Sequence, residues 1–291
     1  MKQRMQHTAF DACHASVPAV CFATIIALSM FCVQPVLVML SLAGALLFSA
    51  LARGLRTTLL GLRWQLPMLA LVCLANPLFS ASGATLVAQL GPINIYLESL
   101  AYGACMGALM VAVVLWFEDA VCVLTQDRLL SLGQGRAASV TLVISMASQL
   151  APQFLRRSHG VRASLDACTA AGTQPGPTQR LTRATTQLMS WSLEDSLERA
   201  DAMRARGWES GHARTTYRPD PLRSSDVLAV CGLVLLAVAC AFLSAVACGQ
   251  WRFYPTMPAL VAWWGYVPYA ALMLLPSAAA ACERLRWRSL T

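Results

Sequence analysis

Long apolar runs that carry almost no charge are the feature that most constrains this chain. Several runs reach roughly 17 to 25 residues, the length that an α-helix needs to cross about 30 Å of hydrocarbon. The composition agrees, because only 12% of the residues are charged and 57% are hydrophobic, whereas soluble domains carry about 25% charged residues. The sequence therefore predicts an all-α integral membrane protein rather than a soluble domain.

Six segments have the composition of membrane-spanning helices. They are residues 17–33, 35–52, 66–82, 99–117, 227–248 and 258–281. Only Gln34 and Pro35 separate the first two, which predicts a tight helical hairpin. Residues 1–16 carry Lys2 and Arg4, but no small-residue cleavage site is followed by a polar mature chain, so we interpret the first segment as a span rather than a signal peptide.

The arginines indicate how these spans are oriented. Cytoplasmic loops of membrane proteins are enriched in Lys and Arg. Residues 83–98 contain neither, and residues 249–257 contain only Arg252. The basic connections are the one after the second span and the C-terminal tail, with Arg53, Arg56, Arg63, Arg284, Arg286 and Arg288. This alternation predicts a multi-pass protein of the cell (plasma) membrane with both termini and residues 118–226 in the cytoplasm.

Three regions follow from this pattern. Residues 1–117 form an N-terminal bundle of about four spans, residues 118–226 a cytoplasmic helical region, and residues 227–291 a C-terminal pair of spans with a basic tail. In the cytoplasmic region, TQPGPTQR breaks the chain between two helical patterns. The second pattern, residues 181–206, places apolar residues at helical spacing: Leu181, Leu188, Trp191, Leu197 and Ala200.

The end of that second helix has a distinctive composition. Ala205, Arg206 and Gly207 give a small residue, a long cation and the glycine that commonly ends a helix. A cation at this end interacts favourably with the helix dipole. Physical reasoning alone thus predicts a basic helix tip suited to an acidic partner, although any Arg-Gly at a helix end has the same character.

The sequence around these residues resembles that of a known family. The segment SLERADAMRARGW, residues 196–208, resembles the second coupling motif of the transmembrane coupling component of energy-coupling factor (ECF) transporters, the EcfT/CbiQ family. The segments ANPLFSASG and LESLAYGACMGALM resemble that family's third and fourth spans. The order of about four spans, a cytoplasmic helical region and two final spans is also similar.

The resemblance implies a mechanical role in import. Two cytoplasmic ABC ATPase subunits close on ATP, the coupling helices in 118–226 transmit the motion, and a small substrate-binding membrane subunit releases a vitamin or metal ion inside. This chain would bind no cofactor, because its partners hydrolyse the ATP. Arg206 would bond to a carboxylate in an ATPase groove, Ala205 would allow close approach, and Gly207 would set the exit of the chain.

The first coupling motif departs from the family pattern. At the corresponding place this chain has Ala167, Cys168 and Thr169, so the motif arginine is missing. Arg162, about one and a half turns earlier, is the candidate to substitute for it. The resemblance then implies asymmetric docking, weaker coupling or an ATPase that has changed to match.

Two smaller patterns concern packing and metals. Gly103 and Gly107 form a G-x-x-x-G in the fourth span, which predicts close approach of another helix. His7, Cys13 and His14 have metal-ligating side chains, but we interpret them as part of a mobile N-terminus and expect no metal site.

Other functions fit less well. The only lysine is Lys2, which excludes a phosphate-binding G-x-x-x-x-G-K-[ST] loop, and Glu98, Glu118 and Asp119 are not placed together by any pattern, so we expect no enzyme. Nucleic acid is not expected as a partner, because no aromatics interleave with the basic stretches. A secondary transporter or substrate-binding membrane subunit acting without ATPases remains the alternative, and a membrane-anchored scaffold is a third.

Overall fold

The computed structural model of the chain describes residues 10, 13–79, 85–90, 93–133, 138–169, 176–208, 210, 222–253, 258 and 263–288. In these residues the chain is mainly helical. The nine helices of this part are α1 Ser16–Phe31, α2 Pro35–Ala52, α3 Leu55–Phe79, α4 Leu97–Val123, α5 Gln126–Ser131, α6 Ala138–Thr169, α7 Pro177–Ala205, α8 Ser224–Gln250 and α9 Tyr266–Arg288.

Two compact units make up the chain. The bundle unit consists of Met1–Leu129 and Asp220–Thr291, and the hairpin unit consists of Leu130–Pro219. The bundle unit contains α1 to α4, α8 and α9, whereas α6 and α7 belong to the hairpin unit.

Four helices are long and apolar enough to cross a membrane: α2, α3, α4 and α8. They correspond to four of the six predicted spans. The other two predicted spans correspond to α1 and α9. Helix α1 is apolar but has only 16 residues, so it rises about 24 Å, short of the roughly 30 Å of a hydrocarbon core. Helix α9 carries Glu283 and Arg284 towards its C-terminal end.

The helix boundaries differ from the predicted ones where charged residues lower the local hydropathy. Helix α3 begins at Leu55, well before the predicted start at residue 66, because Arg56 and Arg63 lower the hydropathy without breaking the helix. Gly54, with φ of 90°, makes the turn from α2 into α3. Between α1 and α2 the turn is short, since Pro35 is already at the first helical position of α2.

A short antiparallel hairpin follows α3, and the sequence analysis does not anticipate it. Strand β1, Leu86–Leu90, pairs with β2, Ile93–Tyr96, and an irregularity in the register lies between Leu86 and Ala88. It leads directly into α4.

The bundle unit has a core of large side chains. Phe22 of α1, Phe48 of α2 and Trp116 of α4 meet with ring centroids 5.6 to 6.4 Å apart. The Trp116 indole N–H donates to the Ser41 hydroxyl at 3.1 Å. Between membrane helices such packing, rather than removal of apolar surface from water, stabilises association. The core therefore depends on close fit and on satisfied polar atoms.

Candidate functional site

The hairpin unit is held together by a few aromatic and charged contacts. Phe154 of α6 packs edge-on against Trp191 of α7, with ring centroids 6.0 Å apart. The Arg157 guanidinium lies 4.5 Å from the centre of the same indole. Arg199 donates to the Gln153 side-chain oxygen at 2.5 Å. One aromatic pair flanked by two arginines thus lies between the two helices, a geometry in which cation–π attraction contributes about 0.5–1 kcal/mol at exposed sites.

The apolar residues of α7 divide between two faces. Trp191 and Leu188 are half-buried, and Ala184 is buried. Leu181 and Leu197, predicted on the same stripe, are instead 59% and 68% exposed. One face of α7 packs on α6, while a second face stays uncovered and carries Met189, Leu193 and Leu197. These three are spaced i, i+4, i+8, so they are neighbours along one side of the helix.

The end of α7 is a complete C-terminal cap. Ala205 is the last helical residue, Arg206 is the C-cap, and Gly207 follows with φ of 82°. The Gly207 N–H donates to the Arg204 carbonyl at 2.9 Å, and the Trp208 N–H donates to the Met203 carbonyl at 3.0 Å. This pair of bonds is the Schellman motif, in which a glycine in the left-handed conformation closes the helix. The motif fixes the direction in which the chain leaves α7.

The predicted tip residues are all accessible. Ala205, Arg206 and Gly207 are exposed, and in the described part of the chain no ion pair involves the Arg206 side chain. The neighbouring Arg204 lies 3.5 Å from Asp201, with both side chains mostly exposed. Arg206 is thus a cation at the negative end of the helix dipole, available to a partner.

The described residues of the first motif all lie within α6. Helix α6 continues through Ala167, Cys168 and Thr169 to its last residue, and residues 170–175 lie outside the described part. Arg162 and Ala167 are exposed. Arg162 precedes the motif position at Cys168 by six residues, which corresponds to about 9 Å along the axis and roughly 240° around it. Arg162 therefore projects from a different face than a motif arginine.

Gly103 and Gly107 lie at the contact between α4 and α3. A Cβ on Gly103 would stand 3.0 Å from the Cys73 carbonyl oxygen and from the Asn76 Cβ. A Cβ on Gly107 would stand 3.2 Å from Leu69. Both contacts are tighter than ordinary van der Waals packing, so the two glycines allow the backbones to approach closely.

Sequence reasoning missed a charged cluster in the bundle unit. Arg53, at the end of α2, lies 2.6 Å from Glu118 and 3.2 Å from Asp119 of α4. Its guanidinium also donates to the Ser49 hydroxyl. Asp119 is completely buried. Arg53 and Glu118 are 65 residues apart in sequence, so no local pattern connects them, although Arg53 was already singled out as a topological arginine.

The third carboxylate considered, Glu98, lies elsewhere. It sits at the opposite end of α4, about 30 Å from Glu118 along the helix axis, where the Thr85 backbone N–H and hydroxyl donate to it. The three carboxylates therefore do not form one acid/base group.

The sequence analysis expects no metal site at His7, Cys13 and His14 of the N-terminal segment. His7 lies outside the described residues. The His14 Nδ1 is 2.8 Å from the Ser16 hydroxyl, and burial, with a smaller effect of Asp226, raises the pKa of the Cys13 thiol. No group of three metal-ligating side chains occurs among the described residues.

An apolar groove of about 490 Å³ runs between α1 and α8. Small side chains dominate its walls, including Ala27, Ala237 and Ala241, and Cys32 and Cys248 lie at one end.

Neither the models of known protein families nor the curated proteins include a match to this chain.

Proposed function

We propose that this chain is the energy-coupling transmembrane subunit of an ECF-type ABC importer. In this proposal α7 transmits ATP-driven motion from cytoplasmic ATPases to a small substrate-binding membrane subunit, for uptake of a vitamin or metal ion. The observation that carries the proposal is the tip of α7. There the coupling-like sequence Ala205-Arg206-Gly207 coincides with a Schellman cap and an exposed arginine that makes no ion pair with the described residues.

The proposed orientation follows the arginine distribution. Six helices cross the plasma membrane in this proposal: the four long apolar ones, α9, and the shorter α1, whose length a locally thinner bilayer accommodates. Both termini and the hairpin unit lie in the cytoplasm. This orientation exposes the α7 tip to soluble partners.

The proposed docking chemistry is a charge-assisted hydrogen bond. The Arg206 guanidinium donates to a carboxylate in a groove of the ATPase, a bond worth about 1.5–3 kcal/mol. The uncovered face of Met189, Leu193 and Leu197 supplies apolar contact alongside it. Ala205 adds no side chain that would keep the partner away.

The two ATPases are engaged unequally in this proposal. One docks on the α7 tip, while the segment Ala167, Cys168 and Thr169 lacks the motif arginine. The chain itself binds neither ATP nor a cofactor.

Co-purification from membranes in mild detergent tests the proposal. We expect the wild-type chain to bring down ATP-binding subunits and a small hydrophobic protein, and Arg206→Glu to lose the ATPases because like charges then face each other. Arg183→Glu is the matched control, since Arg183 is an exposed arginine of the same helix away from the tip. A chain that purifies alone and binds a solute by itself would instead support the secondary-transporter alternative.

A further inference from the structure

A second groove, of about 250 Å³, runs along the contact between α3 and α4. Its apolar walls include Met68 and Leu69 of α3 and Met110, Val111 and Val114 of α4. Met68 is 48% exposed and Met110 is 37% exposed, so the described residues leave the outer side of the groove uncovered. Both helices are long and apolar enough to cross a membrane. In a bilayer the surroundings of this groove are therefore lipid chains rather than water.

The two helices are closest at one end of the groove and separate towards the other. A Cβ on Gly107 would stand 3.2 Å from Leu69. Among the described residues, a Cβ on Gly61 would instead meet only the Glu118 Oε2, at 3.9 Å. The rise along α4 from Gly107 to Glu118 is about 16 Å. The groove is thus an elongated apolar channel whose wide end lies at a carboxylate.

This wide end carries an excess of negative charge. The Glu118 side chain is 37% exposed and lines the groove. The Gln65 amide donates to its Oε1 at 3.2 Å, and the Arg53 guanidinium donates to its Oε2 at 2.6 Å. A carboxylate has about four acceptor positions, so it can accept a further donor. Arg53 also pairs with Asp119, and in the described part of the chain one cation thus serves two carboxylates.

The wide end has residues typical of the depth of lipid headgroups. Trp64 lines it and is 84% exposed. Arg63, the preceding residue, is also exposed. Trp is enriched at the membrane–water interface, and Arg side chains extend towards it. The polar end of the groove therefore lies at headgroup level, and in the proposed orientation this is the cytoplasmic leaflet.

We propose that the α3–α4 groove binds a phospholipid whose headgroup carries a primary ammonium, as phosphatidylethanolamine does. One acyl chain lies along the methionine, leucine and valine side chains, and the ammonium donates to the Glu118 carboxylate. The phosphate stays in the hydrated headgroup layer beside Trp64. A quaternary ammonium has no N–H to donate, and a headgroup of net negative charge is repelled. The proposal goes beyond the coupling role and requires only that α3 and α4 lie in the bilayer.

Native mass spectrometry of the delipidated full-length chain tests this proposal. The chain is titrated with phosphatidylethanolamine, phosphatidylcholine or phosphatidylglycerol, all with the same acyl chains. We expect phosphatidylethanolamine to bind about tenfold more tightly than the other two, because it alone adds a charge-assisted hydrogen bond to the apolar contact. This comparison uses the wild-type chain, so it does not depend on whether a variant folds.

Two variants separate the headgroup contact from the chain contact. Glu118→Gln should bind the three lipids about equally, whereas Asp127→Asn, at an exposed acid outside the groove walls, should keep the preference. Gly61→Leu places a side chain in the wide end and should weaken binding of phosphatidylethanolamine about tenfold. Leucine has the higher helix propensity, and Gly232→Leu in α8, where a Cβ meets nothing within 4 Å, is its matched control.

The occupant is checked in intact membranes with a photoreactive amino acid in place of Met110. We expect adducts with phosphatidylethanolamine. Adducts with a protein in place of lipid would overturn the proposal, as would equal binding of the three lipids by the wild-type chain or unchanged binding by Gly61→Leu. None of these results bears on the co-purification of ATPases, and loss of the ATPases in Arg206→Glu leaves the lipid preference as it is.

Discussion

The two units of the chain are built on different principles. The bundle unit encloses completely buried side chains such as Phe48, Leu115, Trp116 and Leu272. In the described part of the hairpin unit the one buried residue is Ala184, while Leu193 and Leu197 are each 68% exposed. The large side chains of the bundle unit are therefore buried within the unit itself, whereas apolar side chains of the hairpin unit are exposed. A segment of this kind is suited to complete its packing against a partner.

The largest expected effect comes from breaking the charged cluster of the bundle. Arg53→Ala should lower the free energy of unfolding by about 3–5 kcal/mol, because it leaves the buried Asp119 without its partner. Thermal unfolding in detergent measures this change. Arg56→Ala, at an exposed arginine three residues away, should stay within about 0.5 kcal/mol.

A double variant checks the explanation. If the cost arises from an uncompensated charge, Asp119→Asn should recover much of the stability lost in Arg53→Ala. Equal losses for Arg53→Ala and Arg56→Ala would contradict it.

The next effect concerns the close approach of α3 and α4. Gly103→Ala should cost about 1–3 kcal/mol, since the new methyl group meets the Cys73 carbonyl and Asn76. Gly232→Ala is the matched control in α8, where a Cβ meets nothing within 4 Å. It should be neutral or stabilising by up to about 1 kcal/mol. Similar melting temperatures for the two variants would show that α3 and α4 are not closely packed.

The smallest effect is expected in the hairpin. Trp191→Ala removes the contacts with Phe154 and Arg157, worth about 0.5–1.5 kcal/mol. Hydrogen exchange should accelerate by up to about tenfold for amides of α6 and α7, while the bundle amides should not change. Met189→Ala, on the uncovered face, serves as the control. Faster exchange throughout the bundle would refute the separation of the two units.

The sequence was most informative where one physical property dominates. Helix α2, Pro35–Ala52, has the predicted limits because Pro35 opens it and Arg53 follows it. The Ala205-Arg206-Gly207 tip was also visible, because a left-handed glycine after a cationic turn is a local pattern. The early start of α3 was not predictable in this way. Hydropathy indicates which residues can lie in the hydrocarbon core, but not where a helix begins or ends.

Long-range contacts were beyond local patterns. The contact between Arg53 and Asp119 joins residues far apart in sequence. Their side chains are unremarkable in their own segments, and only the packing of whole helices brings them together. The β1–β2 hairpin was missed because its strands, Leu86–Leu90 and Ile93–Tyr96, are short.

The docking role of the α7 tip is the central claim, and site-specific photocrosslinking in intact membranes tests it most directly. A photoreactive amino acid replaces Arg206 in one variant and Arg183, on the same helix, in another. To keep the native arginine, a third variant carries the probe at Ala205. We predict adducts with an ATP-binding subunit from position 205, fewer from 206 and none from 183. Equal adducts from 183 and 205, or no ATP-binding protein in any adduct, would contradict the account.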